Sequence, residues 1–168
     1  IYEETQQLSK LGRALNLITQ IENQEFQNIQ TLKTAPAIMN HIENIREMAE
    51  IKKLSIETSL EEEHSFTIDP GLLDIMIRNL MKNAIRYSHP SNTIHIQTSG
   101  NVLKIRNTGD KPDFPPEEIF NRFRKGNKGK TLGLGLAIVK KICDVSGLQI
   151  EYDYQKGEHM FVIQPLEN

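Results

Sequence analysis

Residues 69–88 constrain the fold of this chain more than any other segment. Asp69-Pro70 is a helix start, a side-chain cap followed by proline at the first helical position. Beyond it Leu73, Ile77, Leu80, Met81 and Ala84 fall on one apolar face, which has to be buried against a second layer. Asn79, Asn83, Arg86 and Tyr87 form another row at i, i+4, i+7 and i+8. Asparagine amides compete with the helical backbone, so two of them four residues apart need a reason. One reading is a polar flank in which an amide caps a neighbouring loop. The other is a pair of side-chain oxygens offered to a hard cation. Magnesium keeps much of its water, so one asparagine and a few phosphate oxygens would complete such a site.

The remaining elements follow from periodicity and punctuation. Leu8, Leu11, Leu15 and Ile18 step along residues 1–25 as a narrow helical seam, widened by Leu17 and Ile21. That stripe either packs on its own domain or forms one arm of a helical hairpin in a dimer. Phe26–Leu32 alternates like a strand. Residues 37–53 form an amphipathic helix begun by Pro36. Leu54–Leu60 and Ser65–Ile68 suit short strands flanking a solvated turn at Glu61–Glu63. Thr93–Ser99 and Asn101–Arg106 make a hairpin turning at Gly100, Pro116–Phe123 a short helix, and Leu134–Ser146 a helix stopped by Gly147. A last hairpin turns at Lys156-Gly157. Helices interleaved with hairpin-linked strands indicate an α+β fold with a mixed or antiparallel sheet.

The chain has 168 residues, 38% hydrophobic and 25% charged, which suits one globular domain with an appendage. Its net charge of −2 leaves no overall basic footprint for nucleic acid. The single cysteine, Cys143, excludes an internal disulfide and a zinc site of paired cysteines. No apolar run approaches the ~18 residues of a membrane span.

Two further segments bear on chemistry. In Thr131-Leu-Gly-Leu-Gly-Leu-Ala, Gly133 and Gly135 open a helix, and backbone N–H groups at a glycine-rich helix start form an anion site. The plainer alternative is a loop before a core helix. Gly129-Lys130-Thr131 is not a P-loop, because Arg124 stands where that motif needs glycine. Gly133-x-Gly135 is not a dinucleotide fingerprint, because Ile138 takes the third glycine position and no strand precedes it. Ile105-Arg-Asn-Thr-Gly109 reads as a strand ending in a tight turn. Asn107 could bond a nucleobase edge there while Gly109 lets the base approach, or the segment could be an ordinary hairpin exit.

In this order, the segments resemble the catalytic and ATP-binding domain of sensor histidine kinases, one branch of the GHKL ATPase superfamily, which also holds gyrase B and the mismatch-repair ATPases. Asn79-Leu-Met-Lys-Asn83-Ala-Ile-Arg-Tyr is similar to the family's N box, Ile119-Phe-Asn-Arg-Phe123 to its F box, and Gly133-Leu-Gly135-Leu136-Ala-Ile-Val-Lys to its second glycine box. The resemblance implies a two-layer sandwich, a mixed sheet of about five strands backed by three helices (the Bergerat fold), in residues 26–168, preceded by a long N-terminal helix. Residues 1–25 correspond to the second helix of the dimerisation hairpin. ATP and Mg2+ are the implied cofactors. Asn83 is the implied metal ligand, with Asn79 and Arg86 at the phosphates. Tyr87, Asn107, Gly109, Lys125, Thr131, Gly133, Leu134, Gly135 and Leu136 are the implied nucleotide contacts. Implied partners are a second copy and a response-regulator receiver domain. The implied location is the cytoplasmic side of an inner membrane, reached through upstream segments, with this portion soluble.

Two departures from the family pattern stand out. Asn107 replaces the aspartate of the first glycine box and Lys111 its second glycine, which weakens the hydrogen bond to the adenine amino group by ~1 kcal/mol. The phosphoacceptor signature is absent. His41, His64, His89, His95 and His159 all read as surface or structural, so the acceptor is expected on a helix preceding Ile1. In hydrolysing relatives a glutamate four residues before the magnesium asparagine activates water. Here that position is Asn79, which cannot act as a general base. The pattern therefore favours ATP:protein-histidine phosphotransfer. A serine kinase of the same fold and a non-catalytic docking module are the alternatives.

Overall fold

The computed structural model describes residues 1–124 and 132–167. Helix α1 (Tyr2–Glu22) leads to β1 (Gln30–Lys33), α2 (Thr34–Ile51), β2 (Ser55–Ser59), β3 (Ser65–Ile68) and α3 (Pro70–Tyr87). The hairpin β4 (Thr93–Ser99) and β5 (Val102–Thr108), a 3₁₀ turn (Pro116–Glu118), α4 (Gly135–Val145) and the hairpin β6 (Leu148–Gln155) and β7 (Glu158–Pro165) complete it. Five strands form a mixed sheet in the order β2-β4-β5-β7-β6, parallel only between β2 and β4. Helices α2, α3 and α4 are the second layer, so the expected α+β sandwich is present. A separate two-stranded sheet pairs β1 with β3.

Alternation in the strands decides which residues meet the helices. Ile94, Ile96, Leu103, Ile105, Phe161 and Ile163 are buried and face Leu73, Met76, Ile77, Leu80, Met81 and Ala84 of α3 in one continuous core. Ile138, Val139 and Ile142 of α4 extend it. Asp69 caps α3 as expected, accepting from Gly71 N at 2.8 Å. Its other carboxylate oxygen takes Asn28 N at 3.0 Å. At the far end, the Lys52 ammonium donates to the carbonyls of Ile85, Arg86 and Ser88 at 2.7, 2.7 and 3.1 Å.

The two short strands expected around Glu61–Glu63 are present and lie in different sheets, while three sequence expectations are corrected. The strand read across Phe26–Leu32 is confined to Gln30–Lys33, because its partner β3 offers only Ser65–Ile68 before Asp69 turns the chain into α3. Phe26 instead packs on Gly71. Helix α2 starts at Thr34, with Pro36 inside its first turn, where a missing N–H breaks no helical bond. The helix read over Pro116–Phe123 shrinks to one 3₁₀ turn of i→i+3 bonds. Phe123, beyond it, has φ +65, and its N–H donates to Gly133 O at 2.9 Å.

Helix α1 rests on α4. Ile18 and Ile21 are buried in the common core, while Leu8 and Leu15 stay exposed. Glu22 binds both Arg122 at 3.3 Å and Lys141 at 3.2 Å, tying the end of α1 to the F-box segment and to α4.

Candidate functional site

A cleft of about 590 Å³ opens between α3, the start of α4, the segment 110–124 and the N-terminal half of α1. The α3 wall presents Asn79, Lys82, Asn83, Arg86 and Tyr87. These are the residues left over once the apolar stripe of α3 is buried, so the pattern that fixes the helix also aims its polar row outward. The α4 wall presents Gly133, Leu134, Gly135 and Leu136. Phe114, Ile119, Phe161 and Leu132 make an apolar side.

Asn79 Nδ2 donates to Ile75 O one turn back at 2.8 Å, which fixes the amide and leaves its oxygen for the other side. That oxygen faces Gly135, where a β-carbon would stand 3.2 Å from it. Gly133 has φ +67, and a β-carbon there would lie 2.4 Å from Arg124 O. The Phe123–Gly133 hydrogen bond and this close approach join the two ends flanking residues 125–131. Arg124 is further held by an ion pair with Glu118 and by the face of the Phe114 ring at 5.9 Å. With Leu134 as cap, the free N–H groups at the start of α4 face the same cleft as the α3 amides, an arrangement that suits an anion such as a phosphate chain.

The sheet contributes His159 to the cleft, with Asn107 buried behind it. Asn107 sits at the end of the buried row Leu103, Ile105, Asn107 and is 1% exposed. Its Nδ2 donates to Thr108 O at 3.2 Å and its Oδ1 has no partner. Opposite it in register stands His159. His159 lines the cleft, whereas Asn107 and Gly109 do not reach its surface. Gly109, expected to let a base approach, is also where the chain packs closely on itself. A β-carbon there would lie 2.3 Å from Tyr87 O and 2.7 Å from His159 Nε2, so glycine is required by the chain's own packing. Lys125 and Thr131 lie outside the described residues.

His159 was read from the sequence only as surface or structural. The signal that would have found it is strand alternation, since His159, Phe161 and Ile163 share the helix-facing side of β7. Burial pushes its imidazole below the ordinary histidine range, against a smaller upward pull from the Asp110 backbone and carboxylate. Sequence reading also missed Lys82, which lines the α3 wall, and Glu3, Gln6, Gln7 and Lys10 of α1, which border the mouth. Among the described residues no cluster of histidine, cysteine or carboxylate could hold a metal, so a cation here would rest on amide oxygens and on a ligand's own oxygens.

Residues 68–168 match the model of the histidine kinase-, DNA gyrase B- and HSP90-like ATPases. The chain belongs to this ATPase family. Similar proteins include the sensor protein QseC of Escherichia coli, 28% identical over 86% of this chain and 34% of its own length. The heme sensor protein HssS of Staphylococcus saprophyticus is 34% identical over 94% of this chain and 35% of its own. The chain thus spans about a third of the length of these two relatives. Among solved structures, the Acinetobacter baumannii histidine kinase AdeS superposes with a TM-score of 0.76 at 26% identity, over 96% of this chain and 79% of that one. No helix among the described residues is long and apolar enough to cross a membrane.

Proposed function

We propose that this GHKL ATPase-family chain is the ATP-binding catalytic domain of a two-component sensor histidine kinase. It transfers the γ-phosphoryl group to a histidine on a separate helix for relay to an aspartate of a response-regulator receiver domain. The observation that carries this reading is the chemistry of α3. The position four residues before Asn83 is an amide anchored to Ile75 O, and the carboxylates bordering the cleft, Glu3 and Asp110, lie on other segments. The α3 wall therefore offers oxygens and cations for holding a triphosphate, and no general base for water.

In this reading Asn83 would hold a magnesium ion, which would supply neutralisation of phosphate charge, and Asn79 beside it would assist at the phosphates. Arg86 and Lys82 reach phosphate oxygens, and the N–H groups at Gly133–Leu136 cradle them. Tyr87 lies along the nucleotide, and Asn107 Oδ1 accepts from the adenine amino group. Lys125 and Thr131 are further proposed contacts. Catalysis is then positioning and charge neutralisation, with the nucleophile brought from outside. Residues 1–25 are one arm of the dimerisation hairpin, whose exposed Leu8 and Leu15 meet the other arm, and the domain works on the cytoplasmic face of a membrane-anchored homodimer.

The test is a titration with a fluorescent ATP analogue, with and without magnesium, for the chain and for Asn83→Ala. Saturable binding that tightens with magnesium and is lost in the variant supports the reading. No binding up to millimolar nucleotide refutes it and favours the docking module, to which the replacement of aspartate by Asn107 points.

A further inference from the structure

One face of α1 changes character along its length. Glu3, Gln6, Gln7, Lys10, Ala14, Leu17 and Ile21 recur at helical spacing on that face. Its C-terminal part is packed: Ile21 is buried, and Ala14 and Leu17 lie against the core. Its N-terminal part is polar, and Glu3, Gln6, Gln7 and Lys10 line the cleft. The face that docks α1 on the domain therefore continues as a wall of the cleft, and Lys10 is the first polar side chain of that wall, about 6 Å along the axis from Ala14. The exposed Leu8 and Leu15 belong to a different stripe.

Helices α1 and α4 run in the same direction, in matched steps of one turn. Glu22 pairs with Lys141 at 3.2 Å. One turn back, Ile18 and Ala137 line a common small cavity. A turn further back, Ala14 and Gly133 line the cleft. Lys10 follows one more turn along, ahead of the first residue of α4, Gly135, on the side to which that helix turns its free N–H groups. An anion held by those groups is within reach of the Lys10 ammonium. Among the described residues Lys10 makes no ion pair, and neither do Lys82 and Arg86 on the α3 wall. Of the carboxylates on the cleft, Asp110 is bonded to His89 at 2.7 Å, and Glu3 stands about 10 Å along α1 from Lys10. Three cations thus approach one space from two walls, where like charges repel and a polyanion relieves the repulsion.

We propose that Lys10 is a further phosphate-binding residue, reaching the phosphate chain of the nucleotide from α1, opposite Lys82 and Arg86. This rests on the reading of the cleft as a nucleotide site. The phosphates are the part of ATP whose charge answers three cations, whereas the base and ribose are neutral and gain nothing from Lys10. Because the contact comes from a helix that packs on the domain through Ile18 and Ile21, nucleotide also holds the N-terminal half of α1 in place.

The experiment uses ATP and adenosine as competitors of a labelled ATP analogue on the unaltered chain, Lys10→Met and Lys10→Arg. Lys10 is exposed, so neither change disturbs the core. Lys10→Met should bind ATP roughly five- to tenfold more weakly, where a strong exposed ion pair meets a weak charge-assisted hydrogen bond. Its affinity for adenosine should be that of the unaltered chain, and Lys10→Arg should recover most of the ATP affinity. Hydrogen exchange supplies a second readout. ATP should slow exchange of the backbone amides around Lys10 in the unaltered chain and not in Lys10→Met. Undiminished ATP affinity in Lys10→Met, an equal loss for adenosine, or no ATP-dependent protection of α1 overturns the assignment and leaves the nucleotide site standing. Failure of ATP to bind the unaltered chain overturns both.

Discussion

The side-chain oxygen of Asn79 lies where a β-carbon on Gly135 would come within 3.2 Å of it. The first turn of α4 thus approaches α3 to a distance at which one methyl group displaces the amide. Gly135→Ala is expected to fold normally, since a helical Gly→Ala change gains up to ~1 kcal/mol in propensity and offsets the crowding. Nucleotide affinity should still fall, by about tenfold. Thermal unfolding read beside a nucleotide titration separates the two effects.

Gly133→Ala should behave differently. Its φ of +67 disfavours any β-carbon, and the obstacle is the Arg124 carbonyl at 2.4 Å, which is backbone and cannot swing aside. A loss of about 2 kcal/mol or more is expected, from strain and from the Phe123–Gly133 hydrogen bond together. Urea unfolding measures it, and a change below 0.5 kcal/mol, the ordinary range for an innocuous surface change, would show that the two flanks part easily.

Lys52 closes the C-terminal end of α3 by donating to three carbonyls, among them Arg86 O at the end of the proposed phosphate wall. Hydrogen bonds from a charged donor are worth ~1.5–3 kcal/mol each in favourable settings, and a cation also suits this helix end. Lys52→Met should lower stability by about 2 kcal/mol in denaturant unfolding. It should also weaken nucleotide binding through Arg86 and Tyr87, although Lys52 does not line the cleft.

The elements were legible where one short-range rule decided them. Asp69-Pro70 fixed the start of α3, the stripe from Leu73 to Ala84 fixed its buried face, and the row from Asn79 to Tyr87 is the face that the cleft exposes. Illegible features depend on partners distant in sequence. Nothing near Phe26 says that β3 is only four residues long. Nothing near Lys52 announces the carbonyls it meets more than 30 positions later. His159 looked ordinary because its register partner Asn107 is its neighbour only across the sheet. Gly109 was correctly singled out for close approach, but Tyr87 and His159 are the groups that come close.

His64 is buried, its Nδ1 is 2.7 Å from Thr34 Oγ1, and burial lowers its pKa below 6.5 against smaller upward pulls from the Asn101 backbone and Glu61. A lowered pKa means that the unfolded chain takes up the proton first. Stability is therefore full above about pH 7 and declines as the pH falls through 6.5 and below. His159 shifts in the same direction and adds to the slope. Unfolding temperatures recorded between about pH 7.5 and 5.5 should fall less steeply for His64→Gln. An unchanged slope would assign the whole effect to other groups.

Cys143 is fully buried between α4 and α3, 3.9 Å from the Met76 sulfur. Burial pushes its thiol up to about 12, helped by Asp144 and opposed by Lys140. At pH 8 a thiolate-directed reagent should leave the folded chain unmodified and react fully in denaturant. Intact-mass measurement of the two samples checks this, and rapid labelling without denaturant would contradict the burial of α4.

Ile21 and Leu8 lie on the same helix but in different surroundings. Ile21 is 1% exposed in the domain core and Leu8 is 68% exposed on the outer side of α1. If α1 were an appendage, truncating either would leave the thermal stability alone. The packing of α1 on α4 predicts an asymmetry instead. Ile21→Ala should cost about 2–5 kcal/mol, the range for a large aliphatic side chain removed from a filled core. Leu8→Ala should stay within about 0.5 kcal/mol, because nothing in the single chain covers it. Chemical denaturation of the two variants decides the matter. Equal, negligible effects would detach α1 from the fold. The expected contrast would show one end of the helix anchored in the domain core while Leu8 and Leu15 stay exposed towards the other.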